Sequence, residues 1–338
     1  MAVIIDTETP KKVMPARPRH RVSQTRREAA WGYIFISPWL IGLLAFTGIP
    51  ILASFVLSLT DFDLLKPDQI HFVFLSNYAW AANDPDTMTS IQNTLKFAAV
   101  SIPLTVISSL AIAMLVSHKL LAGKRVFRTL FFLPVQIPVT ASVFMWLAFV
   151  IGTQGVPVAW LQSTSMSIGD VLSGLPVIGL LAPMWPTGWF TDASWMMPLL
   201  ILMGIWSIGN MTLIFLAGLQ GVPTELYEAA QVDGAGAWKT FRNVTVPMIS
   251  PMLFYNIILS IIATAGYFTQ AYVLGGPLGE PNKQILLFNV HLYDVAWNQD
   301  AMGRGCALAW ILFAAVIGIA VLLFWSAKHW VYYAGAEQ

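Results

Sequence analysis

The chain has 338 residues, 57% of them hydrophobic and only 10% charged, with a mean hydropathy of +0.68, where a soluble domain carries roughly 25% charge. That composition excludes an ordinary soluble globular domain, and a net charge of +1 offers no electrostatic footprint for nucleic acid or another polyanion. A single cysteine, Cys306, excludes a disulfide framework and a cysteine metal cluster.

Residues 1–30 contain Lys11, Lys12, Arg17, Arg19, Arg21, Arg26 and Arg27 but no apolar core, so they read as a cytoplasmic basic tail and not as a cleaved leader. Charge-free apolar runs follow at about 33–59, 97–117, 129–151, 196–219, 251–274 and 305–326. Each is near or above the ~20 residues that cross a ~30 Å hydrocarbon layer as a helix. The expected architecture is an all-α membrane protein with six transmembrane helices.

The distribution of basic residues orients the helices. The tail, Lys119, Lys124, Arg125 and Arg128 after the second run, Lys239 and Arg242 after the fourth, and Lys328 at the end all fall on one side. The other side holds Lys66, Lys96, Lys283 and Arg304, which places both termini in the cytoplasm. The permease domain then spans 31–330, and 331–338 is a short cytoplasmic tail.

The connection 152–195 falls on the extracytoplasmic side. Its segment 171–190 is uncharged and apolar, but Gly174, Pro176, Gly179, Pro183, Pro186 and Gly188 interrupt any helix there. It is expected to lie on the membrane surface or against the bundle, with Trp185, Trp189 and Trp195 at the interfacial level.

None of the six apolar cores contains Asp, Glu, Lys, Arg or His, the groups that ion- and proton-driven transporters place in the bilayer to carry their coupling ion. If the protein moves a solute, its energy comes from elsewhere. The histidines, His20, His71, His118, His291 and His329, read as solvated loop residues. No HExxH string, carboxylate pair or Ser/His/Asp grouping stands out, so no catalytic or metal-binding residue is assigned and the chain is not read as an enzyme.

The connection between the fourth and fifth runs, 221–251, carries the most information. Pro223 starts a short helix with Glu225 and Glu228 near its positive end, and Gly234 can close it in a left-handed conformation. A second helix is expected to run to about Val246, with Trp238, Phe241 and Thr245 on one face and Lys239 and Arg242 flanking. Pro247 and Pro251 are expected to stop it. The product is a two-helix elbow.

The string Glu228-Ala229-Ala230, Asp233-Gly234-Ala235, Trp238, Phe241, Val246-Pro247 and Pro251 resembles the EAA loop of ABC importer permeases, most of all the maltose-type, binding-protein-dependent sugar permeases. The likeness extends to Arg128-Thr-Leu-Phe-Phe-Leu-Pro134, Phe215-Leu-Ala-Gly-Leu and Tyr272-Val-Leu-Gly-Gly-Pro277, and covers residues 30 to 330. It implies the MetI-like fold of type I ABC importer permeases in a bacterial or archaeal plasma (inner) membrane. The implied partners are a second permease subunit, two ATP-binding subunits and an extracytoplasmic solute-binding protein. ATP and Mg belong to the ATP-binding subunits, and this chain holds no cofactor. The resemblance makes the EAA loop the coupling element that seats in the ATPase, formed here by Glu228, Ala229, Asp233, Gly234, Trp238, Lys239 and Arg242. The Gly- and Trp-rich 152–195 connection departs from the family by its length.

Polar residues suggest the solute route. Asn256, Ser260, Thr264 and Tyr267 fall at helical spacing in the fifth run, and Gln270 extends the stripe. Trp206 and Asn210 are four apart in the fourth, as are Gln136 and Thr140 in the third. These three seams are expected to face a hydrated cavity, although such residues can also join helices by hydrogen bonds. No charge lies among them, which suits a neutral sugar or oligosaccharide better than a phosphorylated solute such as a glycerol phosphodiester or a polyamine. One alternative keeps the importer but changes its solute to a glycerol-phosphate-type compound or another polyol, and the alternative of a different class is a channel or facilitator that works without an ATPase.

Overall fold

The structure, a computed structural model, describes residues 21–118, 123–150 and 193–332. The expected loop at 152–195 therefore lies, through residue 192 and including Trp185 and Trp189, outside the described residues. The chain divides into two compact units, Met1–Ser54 and Phe55–Gln338. Helix α1 (Arg21–Leu43) passes through a π turn at Leu44–Gly48 into α2 (Ile49–Ser58), whose residues from Phe55 on belong to the second unit, and Trp31–Ser58 is one apolar stretch of the length and composition to cross a bilayer.

The second unit continues with α3 (Ser76–Asn83), α4 (Pro85–Ser117), α5 (Lys124–Phe132), α6 (Val139–Val150), α7 (Ala193–Trp206) and α8 (Gly209–Gln220). It ends with α9 (Thr224–Val232), α10 (Ala237–Thr240), α11 (Val246–Ala265), α12 (Thr269–Gly275), α13 (Phe288–Tyr293) and α14 (Met302–Trp330). Three more stretches, Pro85–Ser117, Ala237–Gly275 and Met302–Trp330, have the length and apolarity of a span. Two others are bent, Val126–Gln136 with Val139–Leu147 by 98° and Ser194–Trp206 with Gly209–Gln220 by 48°. The six expected spans are recovered when each bent pair counts as one.

Helix α4 starts at Pro85, well ahead of the apolar run at 97. Its start is set by chemistry that hydropathy ignores: Asp84 Oδ2 accepts from the backbone N–H of Thr87 at 2.7 Å and from its hydroxyl at 2.9 Å, and Pro85 occupies the first helical turn. The expected stop at Pro247 and Pro251 does not occur. The backbone runs from Ala237 into α11 through a π turn at Phe241–Thr245. A widened turn leaves a carbonyl without its usual donor, which is the accommodation a proline needs. The same pairing of a π turn with a following proline occurs at Leu44–Gly48 and Pro50.

Helix α4 is the axis of the second unit, packed along α7, α8 and α11. Phe97, Leu199, Leu200, Ile285, Leu286 and Leu287 form one buried cluster, and Val116, Phe215, Leu216 and Ile249 belong to another. Gly209 opens α8 where a Cβ atom would collide with the carbonyl oxygen of Phe131, so only glycine lets α8 approach the end of α5 this closely.

His291 is not a solvated loop residue. It is buried on α13, with Nε2 at 3.0 Å from Thr87 Oγ1 and 3.2 Å from Asp84 Oδ2. The pairing ties α13 to the cap of α4, where Lys283 also pairs with Asp86 and Phe288 N–H donates to Thr94 Oγ1. Burial holds the imidazole below its ordinary pKa of 6.5, against the opposing pull of Asp84, Asp86 and Asp294. The folded protein takes up that proton less readily than the unfolded chain, so this contribution to stability is full above about pH 6.5 and is lost as pH falls. Thermal unfolding in detergent should show Tm declining below about pH 6.5, and His291→Gln should flatten the decline; an equal slope in both proteins would contradict this.

Candidate functional site, an exposed elbow and an uncharged cavity

The elbow begins at Pro223, in extended conformation ahead of α9, with Glu225 in the first turn. It reverses at Gly234, whose φ is +70°. The N–H of Ala235 donates to Ala230 O at 2.9 Å and that of Gly234 to Gln231 O at 3.0 Å, the paired bonds of a Schellman helix end. A Cβ at Gly234 would meet nothing within 4 Å, so the requirement for glycine there is conformational and not steric. The hydroxyls of Tyr227 and Thr245 lie 3.3 Å apart and join the two arms, and buried Val222 anchors the first arm among Phe215, Leu216 and Ile249.

On this frame Glu228, Ala229, Asp233, Gly234, Trp238, Lys239 and Arg242 are all exposed. Among the described residues, none of the four charged side chains makes a hydrogen bond or ion pair. Trp238 is 70% exposed although its ring lies 5.5 Å from that of Phe241, and Val232 is 88% exposed. Leu226 is exposed as well. An apolar set ringed by unpaired charges is the composition of a docking surface. Val232 and Leu226 were missed in the sequence because an isolated apolar residue on a short helix reads as core.

The fifth-run stripe does not follow one helix. Helix α11 ends at Ala265, and Gly266, Tyr267 and Phe268 are non-helical before α12 begins. The residues nevertheless converge: Asn210, Asn256, Ser260, Thr264, Tyr267 and Gln270 line one cavity of about 290 Å³, with Ser101, Thr105 and Ser207 opposite. No charged side chain lines it. Asn256 is 1% exposed, and neither Oδ1 nor Nδ2 has a hydrogen-bond partner. Its amide makes no hydrogen bond to another described residue, which leaves donor and acceptor available to whatever fills the cavity. Tyr267 is positioned by Phe97, ring centroids 4.8 Å apart, with its hydroxyl 3.4 Å from Leu200 O.

Trp206 faces an adjoining cavity of about 180 Å³ that shares Met203, Ser207 and Gln270 with the first. Its ring lies 5.9 Å from that of Trp146, and Ser142 completes the polar lining. The third seam does not join these two cavities. Gln136 and Thr140 lie on opposite sides of the 98° bend, are exposed, and line neither cavity. Four-residue spacing marks a common face only on an unbroken helix, and Pro138 breaks this one. Ser101 and Thr105 were missed, although their spacing in the second run is the same signal used elsewhere. A third cavity, of about 510 Å³ between α4, α11 and α14, is lined almost wholly by apolar side chains and offers a hydrophilic solute no partners.

A helical bundle of membrane-spanning length, an exposed elbow and an uncharged internal cavity define a membrane transport subunit. Residues 154–330 match the family described as binding-protein-dependent transport system inner membrane component, and the chain belongs to it. It is 32% identical over 314 residues to the probable ABC transporter permease protein YesP of Bacillus subtilis, covering 93% of this chain and 95% of that one. It is 30% identical to the trehalose/maltose transport system permease protein MalF of Thermococcus litoralis, over 88% and 93% of the two chains. Identity to the arabinooligosaccharides transport system permease protein AraP of Bacillus subtilis is 27%, over 90% and 93%. Among solved structures, a chain of a bacterial ABC transporter that imports the acidic polysaccharide alginate superposes with a TM-score of 0.72 at 18% identity, covering 91% of this chain and 99% of that one; this likeness establishes the fold.

Replacing Asn256 by Leu removes the amide from the cavity lining and should lower solute uptake while leaving Tm in detergent within a few degrees of the parent chain. Normal uptake in this variant, or a loss of uptake accompanied by a large fall in Tm, would show that Asn256 serves packing alone.

Proposed function

We propose that this chain is the permease subunit of an ATP-driven importer that passes a neutral sugar or oligosaccharide through the Asn256 cavity. The observation that carries the reading is the polar set in that cavity's lining, the amides of Asn210, Asn256 and Gln270, several hydroxyls and the Tyr267 ring, which stands among apolar neighbours such as Met203 and Ile214 with no charged side chain among the described residues. Hydroxyl-rich neutral solutes exchange hydrogen bonds with such groups and stack on aromatic faces, whereas a phosphorylated solute needs Arg or Lys. The relatives named for arabinooligosaccharides and for trehalose and maltose support the same solute class.

The chain does no chemistry in this scheme. An extracytoplasmic binding protein delivers the solute, a second permease supplies the other wall of the path, and two partner subunits bind and hydrolyse ATP with Mg. Both termini are cytoplasmic, which puts the elbow on the same side as those subunits. The charge-free cores of the spans support an outside source of energy, because those cores hold no ionisable group able to carry a coupling ion.

The elbow is the mechanical input. Glu228, Asp233, Lys239 and Arg242 offer both signs of charge to a partner, and Trp238 and Val232 offer apolar area. Gly234 fixes the angle between the arms, and the second arm continues through the π turn into α11, which carries Asn256 and Ser260. A push on the elbow therefore reaches the cavity through one helix.

Gly234→Val places a β-branched residue at φ +70°, a strain of about 1–3 kcal/mol. Uptake by the assembled importer should fall about tenfold or more with membrane insertion unchanged, whereas Gly234→Asn, which tolerates this conformation, should retain most uptake. Normal uptake in the Val variant would overturn the elbow's role, and uptake by the lone chain in liposomes without any ATPase would favour a facilitator.

A further inference from the structure

We propose that the connection between α2 and α3 is a membrane anchor, with Phe72, Phe74 and Leu75 inserted at the headgroup–acyl boundary on that side of the bilayer. Its depth is set by hydrogen bonds to the end of a membrane-spanning helix. The span closes at Ser58, and Phe72 pairs with Thr60 in an isolated antiparallel bridge. Val73 N–H donates to Leu59 O at 2.9 Å, and Asp61 N–H to His71 O at 3.1 Å. Asn77 Nδ2 donates to Ser58 O at 2.9 Å and to Thr60 O at 2.8 Å, and the Ser58 and Tyr78 hydroxyls are 2.8 Å apart. The His71–Leu75 segment thus cannot float above the surface. It is held within about 7 Å of the last helical residue, two strand residues' rise.

The side chains held at that level are apolar and largely uncovered by the other described residues. Phe74 is 69% exposed, Leu75 66% and Phe72 52%, and the two phenyl rings pack only edge to face on each other, 4.6 Å apart. Phe72 to Leu75 includes no charge; of its two flanking residues, His71 lies 3.0 Å from the Asp61 carboxylate and Ser76 opens α3. Val56, one turn before the span ends, is also exposed, so the apolar surface continues along the chain from the span into the connection.

The backbone adds a second argument. Phe74 has φ +50°, a region that a bulky residue occupies only at a cost. A protein that strains its backbone to hold a phenyl ring in water gains nothing, because an exposed Phe also loses its burial energy. The strain is offset when the ring enters an apolar layer, and at this depth that layer is lipid. A docked extracytoplasmic protein would meet the chain farther out, at α3 and the start of α4.

The test is site-directed spin labelling of the full chain, reconstituted with its partner subunits in phosphatidylcholine/phosphatidylglycerol liposomes. Labels are placed singly through Phe72→Cys, Leu75→Cys and, as an aqueous reference in the same connection, Asp68→Cys. Cys306 is buried and the wild-type chain is the blank. Collision with oxygen, which partitions into lipid, is compared with collision with a water-soluble nickel chelate. The ratio of oxygen to nickel collisions at 72 and 75 should be several-fold higher than at 68. Ratios equal to that at 68 overturn the anchor. A fall in both collision rates only when the solute-binding protein is added overturns it too and makes the patch a protein-docking surface.

Discussion

A bilayer offers backbone N–H and C=O groups no water, so a chain can leave helical geometry at membrane depth only where protein or a wet cavity takes over the lost bonds. Among the described residues, helices break at Ile137–Pro138, at Ser207–Ile208 and at Gly266–Phe268. These breaks border the same pair of adjoining cavities: Ile137 lines the smaller one, Ser207 lines both, and Tyr267 lines the larger. The breaks therefore fall around one uncharged interior in which polar groups sit among apolar ones, with parts of α4 and α11 in its walls. Broken helices at a central binding region are a recurring solution in membrane transporters.

The same interior explains why force has to be supplied from outside it. Its polar groups are amides, hydroxyls and indoles, which carry no charge to respond to a membrane potential or proton gradient. The π turn at Phe241–Thr245 joins the elbow to α11 without a break, and a π turn is the kind of local widening at which a helix can change direction. The elbow, meanwhile, is bent by a hydrogen-bonded glycine reversal and presents charges that find no partner among the described residues. In the function proposed above, this elbow receives the force and α11 carries it to the cavity.

Much of this was legible in the sequence for a simple reason: hydrocarbon is an undiscriminating solvent, and charge-free runs of about 20 residues report spans whatever their neighbours are. Gly234 and Pro223 were legible because turn and cap chemistry is local. What escaped depended on tertiary contacts or on capping outside the apolar run. Nothing in Ser207-Ile208 announces a 48° bend, which follows from the packing of Gly209 onto the Phe131 carbonyl. Asp84 and Pro85 carry a local start signal for α4, yet a scan for apolarity passes over it. His291 looks solvated until α13 is seen folded onto the Asp84 cap. Gln136 and Thr140 share a face only on a straight helix, and the bend at Pro138 separates them.

The claim at the centre is that the elbow lies on the cytoplasmic face beneath an ATP-binding partner. It is tested most directly by labelling Val232→Cys, at the most exposed point of the elbow, with a membrane-impermeant maleimide. The account predicts no labelling in intact cells, rapid labelling in inverted vesicles stripped of the ATP-binding subunits, and protection when those subunits are present. Labelling from outside intact cells, or equal labelling with and without the subunits, would contradict it.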